Sequence, residues 1–447
     1  MKSVEMGTDY QYDVIIVGGR PAGASLAARL GAQGMRVLVL ERTTFPSKRG
    51  VISTPFLLGS GMALLDEIGA DEEIYAEGTP RIERFVLEFK DYFRTFGRIA
   101  TVGERDYMYT IDRERFDHHL WRNLKKWPNI ERRAGWSVVD LVRDEGGRVC
   151  GVVARQAKEA AVEFRAKLVV GADGRFSVVA RKAGAKVKEE RTDISTTIYY
   201  TTWQNVSDYD ESGEAVAHIH TLGNGYSFVF MPTADGMVNV VFQCPADMYE
   251  QLEGDVEQVY REALRSAPYV WRRLAEAQEI APLQGMKRVG NLYREAGGDG
   301  WVLVGDALHQ KDSIDAQGIY DALLEAKLLS EAIGDWCQGE KTWAEGVKWY
   351  EERVWAETYP MFESTLERVK REIYSVPPPF IIKTVLRWVL TNPEYMRRFS
   401  LLLTRQYDPV NWAPPAFMLK AIGEGIVADV KRLLQGKDDP FKMPNLS

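Results

Sequence analysis

The stretch "DVIIVGGRPAG", Asp13 to Gly23, decides how this chain folds. Its first half is a continuous apolar run, the pattern of a parallel strand buried on both faces. A glycine turn follows, then "PAGASLAARLGAQG", a helix rich in small residues with Gly34 placed to cap its C-terminus. "RVLVLER" supplies a second strand ending at Glu41 and Arg42. Strand, turn, helix and strand make one βαβ unit. Ala22, Gly23, Ala24 and Ala27 let the helix lie close to the sheet. Glu41, eighteen residues beyond Gly23, can accept both hydroxyls of a ribose.

Nucleotide-binding turns of this kind usually read G-x-G-x-x-G. Here the three positions are Gly18, Arg20 and Gly23, so the glycine that lets the backbone approach a pyrophosphate is an arginine. Just before a helix an L-residue can keep ordinary backbone angles, with its Cβ directed away from the ligand. The Arg20 guanidinium can then fold onto a pyrophosphate or point into solvent, and the spacing leaves both open. The unit survives either way, without naming its nucleotide.

The chain has 447 residues, enough for two or three packed layers and a large core. Its net charge of -7 argues against a nucleic-acid partner, which calls for a basic face. Cys150, Cys244 and Cys337 lie far apart and suggest neither a metal knuckle nor a disulfide framework, so a reducing cytoplasm is expected. The opening "MKSVEMGTDYQYD" has no apolar core and reads as no signal peptide. No apolar run approaches the roughly 18 residues of a spanning helix.

Two later stretches repeat the strand-to-loop-to-helix plan. "LVVGADGRFSVVARKAG", Leu168 to Gly184, runs through Gly171-Ala172-Asp173-Gly174 into a helix near Ser177. "GWVLVGDALHQKDSIDAQGIYDALLEAKLLSEAI", Gly300 to Ile333, runs through Gly305-Asp306 and a loop into a helix near Gln317. In this order and spacing the three motifs resemble the FAD-dependent monooxygenase superfamily with the para-hydroxybenzoate hydroxylase fold. Geranylgeranyl reductases and flavin halogenases share that fold. The resemblance covers about residues 10 to 335 and implies FAD as cofactor, with NADPH or NADH as reductant.

Carried onto this sequence, the resemblance implies cofactor contacts at Gly18, Arg20, Pro21, Ala22, Gly23, Glu41 and Arg42. Arg113 in "RERFDHHL" falls on the family's R-x-x-[FL]-D-x-x-L pattern, where the arginine contacts the cofactor. Val138 falls where the family makes a backbone contact to adenine, and Asp173 with Gly174 where it supports FAD. Gly305 and Asp306 stand at a strand end, where the carboxylate can accept from a ribitol hydroxyl. The helix opening at Gln317 and Gly318 can aim free N–H groups at the flavin pyrimidine. The family loop commonly reads G-D-A-A-H-x-x-x-P-x-x-G-Q-G. Ser313 replaces its proline, which in the family packs near the reactive edge of the flavin, and Ala316 replaces the first glycine of its closing pair.

The expected architecture is α/β. A discontinuous Rossmann-like FAD-binding domain takes residues 10–80, 107–190 and 286–340, and an antiparallel-sheet substrate domain takes 81–106 and 191–285. A C-terminal helical region takes 341–447. Period-two stretches such as "STTIYYTTW" and "GYSFVFMPTADGMVNVVFQ" build the sheet, the latter a hairpin turning at Ala234-Asp235-Gly236. Tyr226, Phe228 and Phe230 share one face, which resembles the reductases' aromatic strand Y-x-W-x-F-P, although plain sheet packing is the commoner meaning. "PPPFIIKTVLRWVL" is amphipathic; a core helix, a lid, a dimer face and a membrane-surface helix all stay open, core or lid being the commoner outcome. His118 and His119 form no ligand set with His218 and His220, and no metal site is expected.

An FAD monooxygenase using NAD(P)H and O2 on an apolar, aromatic or polyketide-like small molecule is the leading expectation. The flavin carries the chemistry, so no Ser-His-Asp or Cys-His set is needed and no catalytic side chain is named. A prenyl-chain alkene reductase is the second reading, suited by the C-terminal helices and the aromatic strand. A halogenase is disfavoured because the W-x-W-x-I-P motif is absent. A catalytically silent FAD-binding subunit is the third reading.

Overall fold

The computed structural model describes residues 10–47, 53–252, 254–444 and 446. Residues 1–9, which hold most of the stretch read as carrying no signal peptide, lie outside the described residues. The strands Trp301–Leu303, Val162–Gly171, Tyr12–Val17, Val37–Glu41 and Ile130–Ala134 lie side by side in that order, all parallel. Their register aligns Val17 with Gly171 and Leu40, and Gly171 with Leu303. Four strands therefore end at one level, and the loops leaving them share one edge. Val14, Ile15 and Ile16 have no exposed surface, as expected of a strand covered on both faces. The helix Pro21–Ala32 returns along the sheet and packs against the helix Gly318–Cys337.

A second sheet stands over that edge. Its main strands run Thr196–Gln204, Val238–Pro245, Ser227–Pro232, Val216–Thr221, Arg84–Phe89 and Phe93–Arg98. The pairings are antiparallel except one: Arg84–Phe89 lies parallel to Val216–Thr221. These two strands arrive from separate excursions of the chain, so no hairpin forces them to oppose. Ala234–Gly236 makes the turn between Ser227–Pro232 and Val238–Pro245, with Asp235 at φ 59°.

The sheet has two unlike faces. Tyr199, Trp203, Phe228, Phe230 and Phe242 pack outward against the helix Val256–Arg265. Phe228 and Phe230 are fully buried there, so the aromatic strand is sheet packing. The opposite face carries Ile198, Tyr200, Val229, Met231 and Val241. It looks at the loops of the first sheet, since Thr196 Oγ1 and Gln243 Nε2 donate to Asp312 at 2.5 and 2.9 Å.

The C-terminal region is helical over Trp343–Val369, Pro393–Leu403 and Pro415–Gln435, among shorter pieces. Buried ion pairs fasten it to the loop that follows Asp306. Arg368 pairs with Asp315, and Thr365 Oγ1 donates to the same carboxylate at 2.6 Å. Arg405 donates to Asp321 at 2.5 Å and to Gln317 Oε1 at 2.7 Å. These contacts seat Thr365, Arg368 and Arg405 against that loop and the helix that follows it.

Candidate functional site

The shared edge is assembled from close backbone approaches. A Cβ on Gly18, whose φ is +107°, would lie 2.3 Å from the Ala172 carbonyl oxygen, and one on Gly23 would lie 1.9 Å from the Gly18 carbonyl. A Cβ on Gly305 would lie 3.0 Å from that of Ala22. Pro21 opens the first helix, whose initial N–H groups receive no side-chain cap; neither do those of Gly318–Cys337. Both N-termini thus offer free donors and positive dipole ends at this edge. Gly318 is exposed and a Cβ there would meet nothing within 4 Å. Gly174, at φ +77°, has equally open surroundings.

Arg20 takes a third course between the two left open by the sequence. Its backbone is extended, at φ -91° and ψ -169°. Its guanidinium donates to Ser47 Oγ at 3.3 Å and lies 3.9 Å from Asp117 Oδ2. Arg113 grips the same fully buried Asp117 with two bonds of 3.1 and 3.0 Å and donates to Ser53 Oγ at 3.0 Å. Burial raises the Asp117 carboxyl pKa, while Arg113 and Arg20 pull it back. Two guanidiniums share one carboxylate beside a helix N-terminus, leaving positive charge where an anion would sit.

Glu41 is buried, and both its oxygens already accept: Oε2 from the Gly19 N–H at 2.9 Å, Oε1 from the Thr43 N–H and hydroxyl at 2.9 and 2.8 Å. It therefore ties the glycine turn to the second strand, a structural job its position at the strand end did not disclose. Arg42 beside it is exposed, and Val138 is buried in the strand Trp136–Arg143. Asp173 caps the helix Val178–Ala183, accepting from Ser177 Oγ at 2.5 Å and Val178 N–H at 2.6 Å. Asp306 accepts from Arg175 Nε at 3.0 Å. The Gln317 side chain turns from the edge to donate to the carbonyls of Asp315 and Leu403 at 3.3 and 3.0 Å. Ala316 sits at φ 53°, the left-handed region that glycine fills in the family loop.

Asp117, Trp121, Arg175 and Asp312 were missed. Asp117 was legible inside the R-x-x-F-D pattern. Trp121 packs so close to Gly19 that a Cβ there would lie 2.5 Å from its ring, and no local signal announces that contact. Asp312 is fully buried and accepts from Thr196, Gln243 and the Ile314 N–H, which joins the second sheet to the flavin-loop motif.

His218 and His220 meet Glu88, 130 and 132 residues away in sequence, across the parallel pairing. Among the described residues these three could hold a metal ion, their ligand atoms lying within 4.8 Å of one another. The hydrogen bonding accounts for the cluster without an ion. His218 Nε2 and His220 Nδ1 each lie 2.8 Å from Glu88 Oε2, and the Tyr209 hydroxyl donates to Oε1 at 2.8 Å. Arg273 donates to His218 Nδ1 at 3.3 Å, so the imidazole proton belongs on Nε2, facing the carboxylate. The cluster lies on the outer face of the second sheet, since His218 stacks on Phe230.

A parallel sheet with glycine turns at its carboxyl edge, roofed by a second sheet, defines a dinucleotide-binding flavoprotein fold. The chain belongs to the FAD binding domain family, whose match spans residues 11–353. It is 29% identical over 337 residues to 6-methylpretetramide 4-monooxygenase of Streptomyces rimosus, covering 73% of this chain and 75% of that protein. It is 27% identical over 414 residues to digeranylgeranylglycerophospholipid reductase 1 of Methanopyrus kandleri, covering 88% and 98%. A flavin-dependent brominase superposes with a TM-score of 0.75 at 21% identity, covering 94% of this chain and 99% of that one. The protein is an FAD-dependent oxidoreductase of the para-hydroxybenzoate hydroxylase type. Its residues fit that cofactor: two uncapped helix ends, the Gly18 and Gly23 turn and the open space at Gly174 and Gly318 all face one edge.

Proposed function

We propose that this protein is an NAD(P)H-using monooxygenase acting on an apolar aromatic or polyketide-like small molecule. The observation that carries the reading is the face turned toward the flavin loops: Ile198, Val229, Met231, Val241 and Met286, with Tyr200 among them. FAD, when bound, supplies the electron transfer and oxygen chemistry. The chain's own part is to hold and dry the site. Gly18, Gly23, Arg20 and Arg113 suit the pyrophosphate, and Asp306 the ribitol. The Gly318 helix end suits the flavin pyrimidine, where its dipole favours negative charge. The apolar roof excludes water and presents an apolar ring system.

A second reading, an alkene reductase on a prenyl chain, draws support from the same apolar face, which suits a prenyl chain. Tyr200 stays a neutral phenol there, because burial raises its pKa, and its hydroxyl donates to Gln284 Oε1 at 3.4 Å. The reductase relative supports this reading, and the monooxygenase relative supports the first.

The test begins with FAD-loaded protein mixed anaerobically with NADPH or NADH, then with isotopically heavy O2 and a panel of aromatic polyketides. Bleaching of the flavin followed by heavy oxygen in a product is expected. A prenyl substrate gaining two hydrogens, with no oxygen incorporated into any product, would establish the reductase instead. Flavin that NAD(P)H fails to bleach, but that works when supplied already reduced, would remove the nicotinamide from the reading.

A further inference from the structure

We propose that the helix Pro415–Gln435 is a docking element that lays this protein on the surface of an anionic lipid bilayer. Of its residues only Ala421 is buried. Leu419, Leu433 and Leu434 are 70%, 82% and 82% exposed, and Ile426, Val427 and Val430 about half exposed. At 3.6 residues per turn these six fall on one side, with Ala416 and Gly423 between them. Isolated exposed apolar residues are ordinary, but a continuous stripe of this kind marks an interaction surface.

The stripe is not the side meant for this chain's own core, because the other side is already fastened. A Cβ on Gly425 would collide with the Trp388 side chain. Trp388 Nε1 donates to Asp429 at 2.7 Å, and Asn392 Nδ2 to Glu424 at 2.9 Å. Arg387 reaches Asp439 at 3.1 Å. Residues 387–392 thus meet 439–424 in reverse order, so the segment 379–390 runs antiparallel to the helix. Its exposed Phe380 and Ile381 lie toward the same end as Leu433 and Leu434.

Charge selects the occupant. The chain carries a net charge of -7, yet this apolar end is rimmed by exposed Lys383, Lys431 and Lys437, against exposed Asp438, while Lys420 toward the other end of the helix is paired with Glu424 at 3.7 Å. A lysine rim around leucines and a phenylalanine suits anionic headgroups over acyl chains, with the lysine stems extending along the boundary. A second copy would bring two rims of the same sign together. The helix is too polar to cross a bilayer and lies in its plane.

The experiment is co-sedimentation of the full FAD-loaded chain with vesicles of phosphatidylcholine alone and of phosphatidylcholine with phosphatidylglycerol, at low and high salt. Binding to the phosphatidylglycerol vesicles is expected, at least tenfold stronger than to phosphatidylcholine alone and weakened by salt. The double variant Leu433→Glu, Leu434→Glu should lose at least tenfold while keeping its flavin spectrum and thermal midpoint, since both side chains are exposed. Wild type that ignores both vesicles, or a variant that sediments like wild type, overturns the proposal. So does a wild-type dimer, seen by light scattering, that the variant splits while neither binds lipid; the face would then belong to a second copy.

Discussion

Arg175 Nε lies 3.0 Å from Asp306 Oδ2, an ion pair between the loop that leaves Val162–Gly171 and the turn that leaves Trp301–Leu303. The arginine thereby holds in place the carboxylate proposed to accept from the flavin ribitol. Asp306→Ala is expected to weaken FAD by about 1.5–3 kcal/mol, the range for hydrogen bonds to charged groups. Arg175→Ala should cost less, and the double variant should match Asp306→Ala, because the arginine acts through the carboxylate. Equilibrium titration of flavin fluorescence checks this; wild-type affinity in Asp306→Ala would remove the residue from the site.

Arg20 shares Asp117 with Arg113 and contributes positive charge beside the first helix. Its extended backbone needs no glycine, so Arg20→Gly and Arg20→Ala should behave alike. Both should lose about 0.3–2 kcal/mol of FAD affinity and show a shallower salt dependence than wild type. Titrations at low and high ionic strength decide it, and salt slopes identical to wild type would leave Arg20 a structural partner of Asp117 only.

Ala316 holds a left-handed backbone, which costs an L-residue roughly 1–2 kcal/mol. Ala316→Gly should raise stability by up to about 1 kcal/mol, part of the relief being lost to the greater freedom of glycine when unfolded. Ala316→Val should lower it. Thermal and urea unfolding of the three proteins provide the comparison.

Stability should fall on both sides of neutrality for different reasons. Burial holds His218 down at about 4 against its ordinary 6.5, so the unfolded chain binds the extra proton between those values. Stability is therefore present above pH 6.5 and lost as the pH falls toward 4, by up to about 3 kcal/mol. His309 is the reverse case. Burial opposes its charge, but Glu325 and Asp321 raise it to about 9, so its contribution is present below pH 6.5 and lost as the pH rises through 9. Midpoints measured across pH should show both limbs. His309→Asn should flatten the alkaline one and leave the acid one.

Arg368 is buried against Asp315 and also pairs with Glu372 at 3.0 Å. Arg368→Met strands Asp315 under the flavin-loop motif, and a buried charge left unpaired costs about 3–5 kcal/mol. Lower stability together with weaker FAD binding is expected. Lower stability with unchanged FAD affinity would show that the C-terminal region does not position the loop.

The chain order of Asp13 to Glu41, with the two later strand ends, determined the βαβ unit, the family and the edge where the nucleotide belongs. These signals are local: apolar runs, glycines where no Cβ fits, small residues at a helix start. Tertiary structure alone decided what the side chains do there. Glu41 turned to the Gly19 N–H, Arg20 to a carboxylate on another helix, and Gln317 to Arg405 nearly ninety residues later. It also decided that Phe228 and Phe230 pack outward, since period two assigns a common face but not which face meets the flavin. His218, His220 and Glu88 became one cluster because a parallel pairing of distant strands set them in register. A burial pattern fixes which residues leave water; only the packed chain chooses the polar partner each buried charge must find.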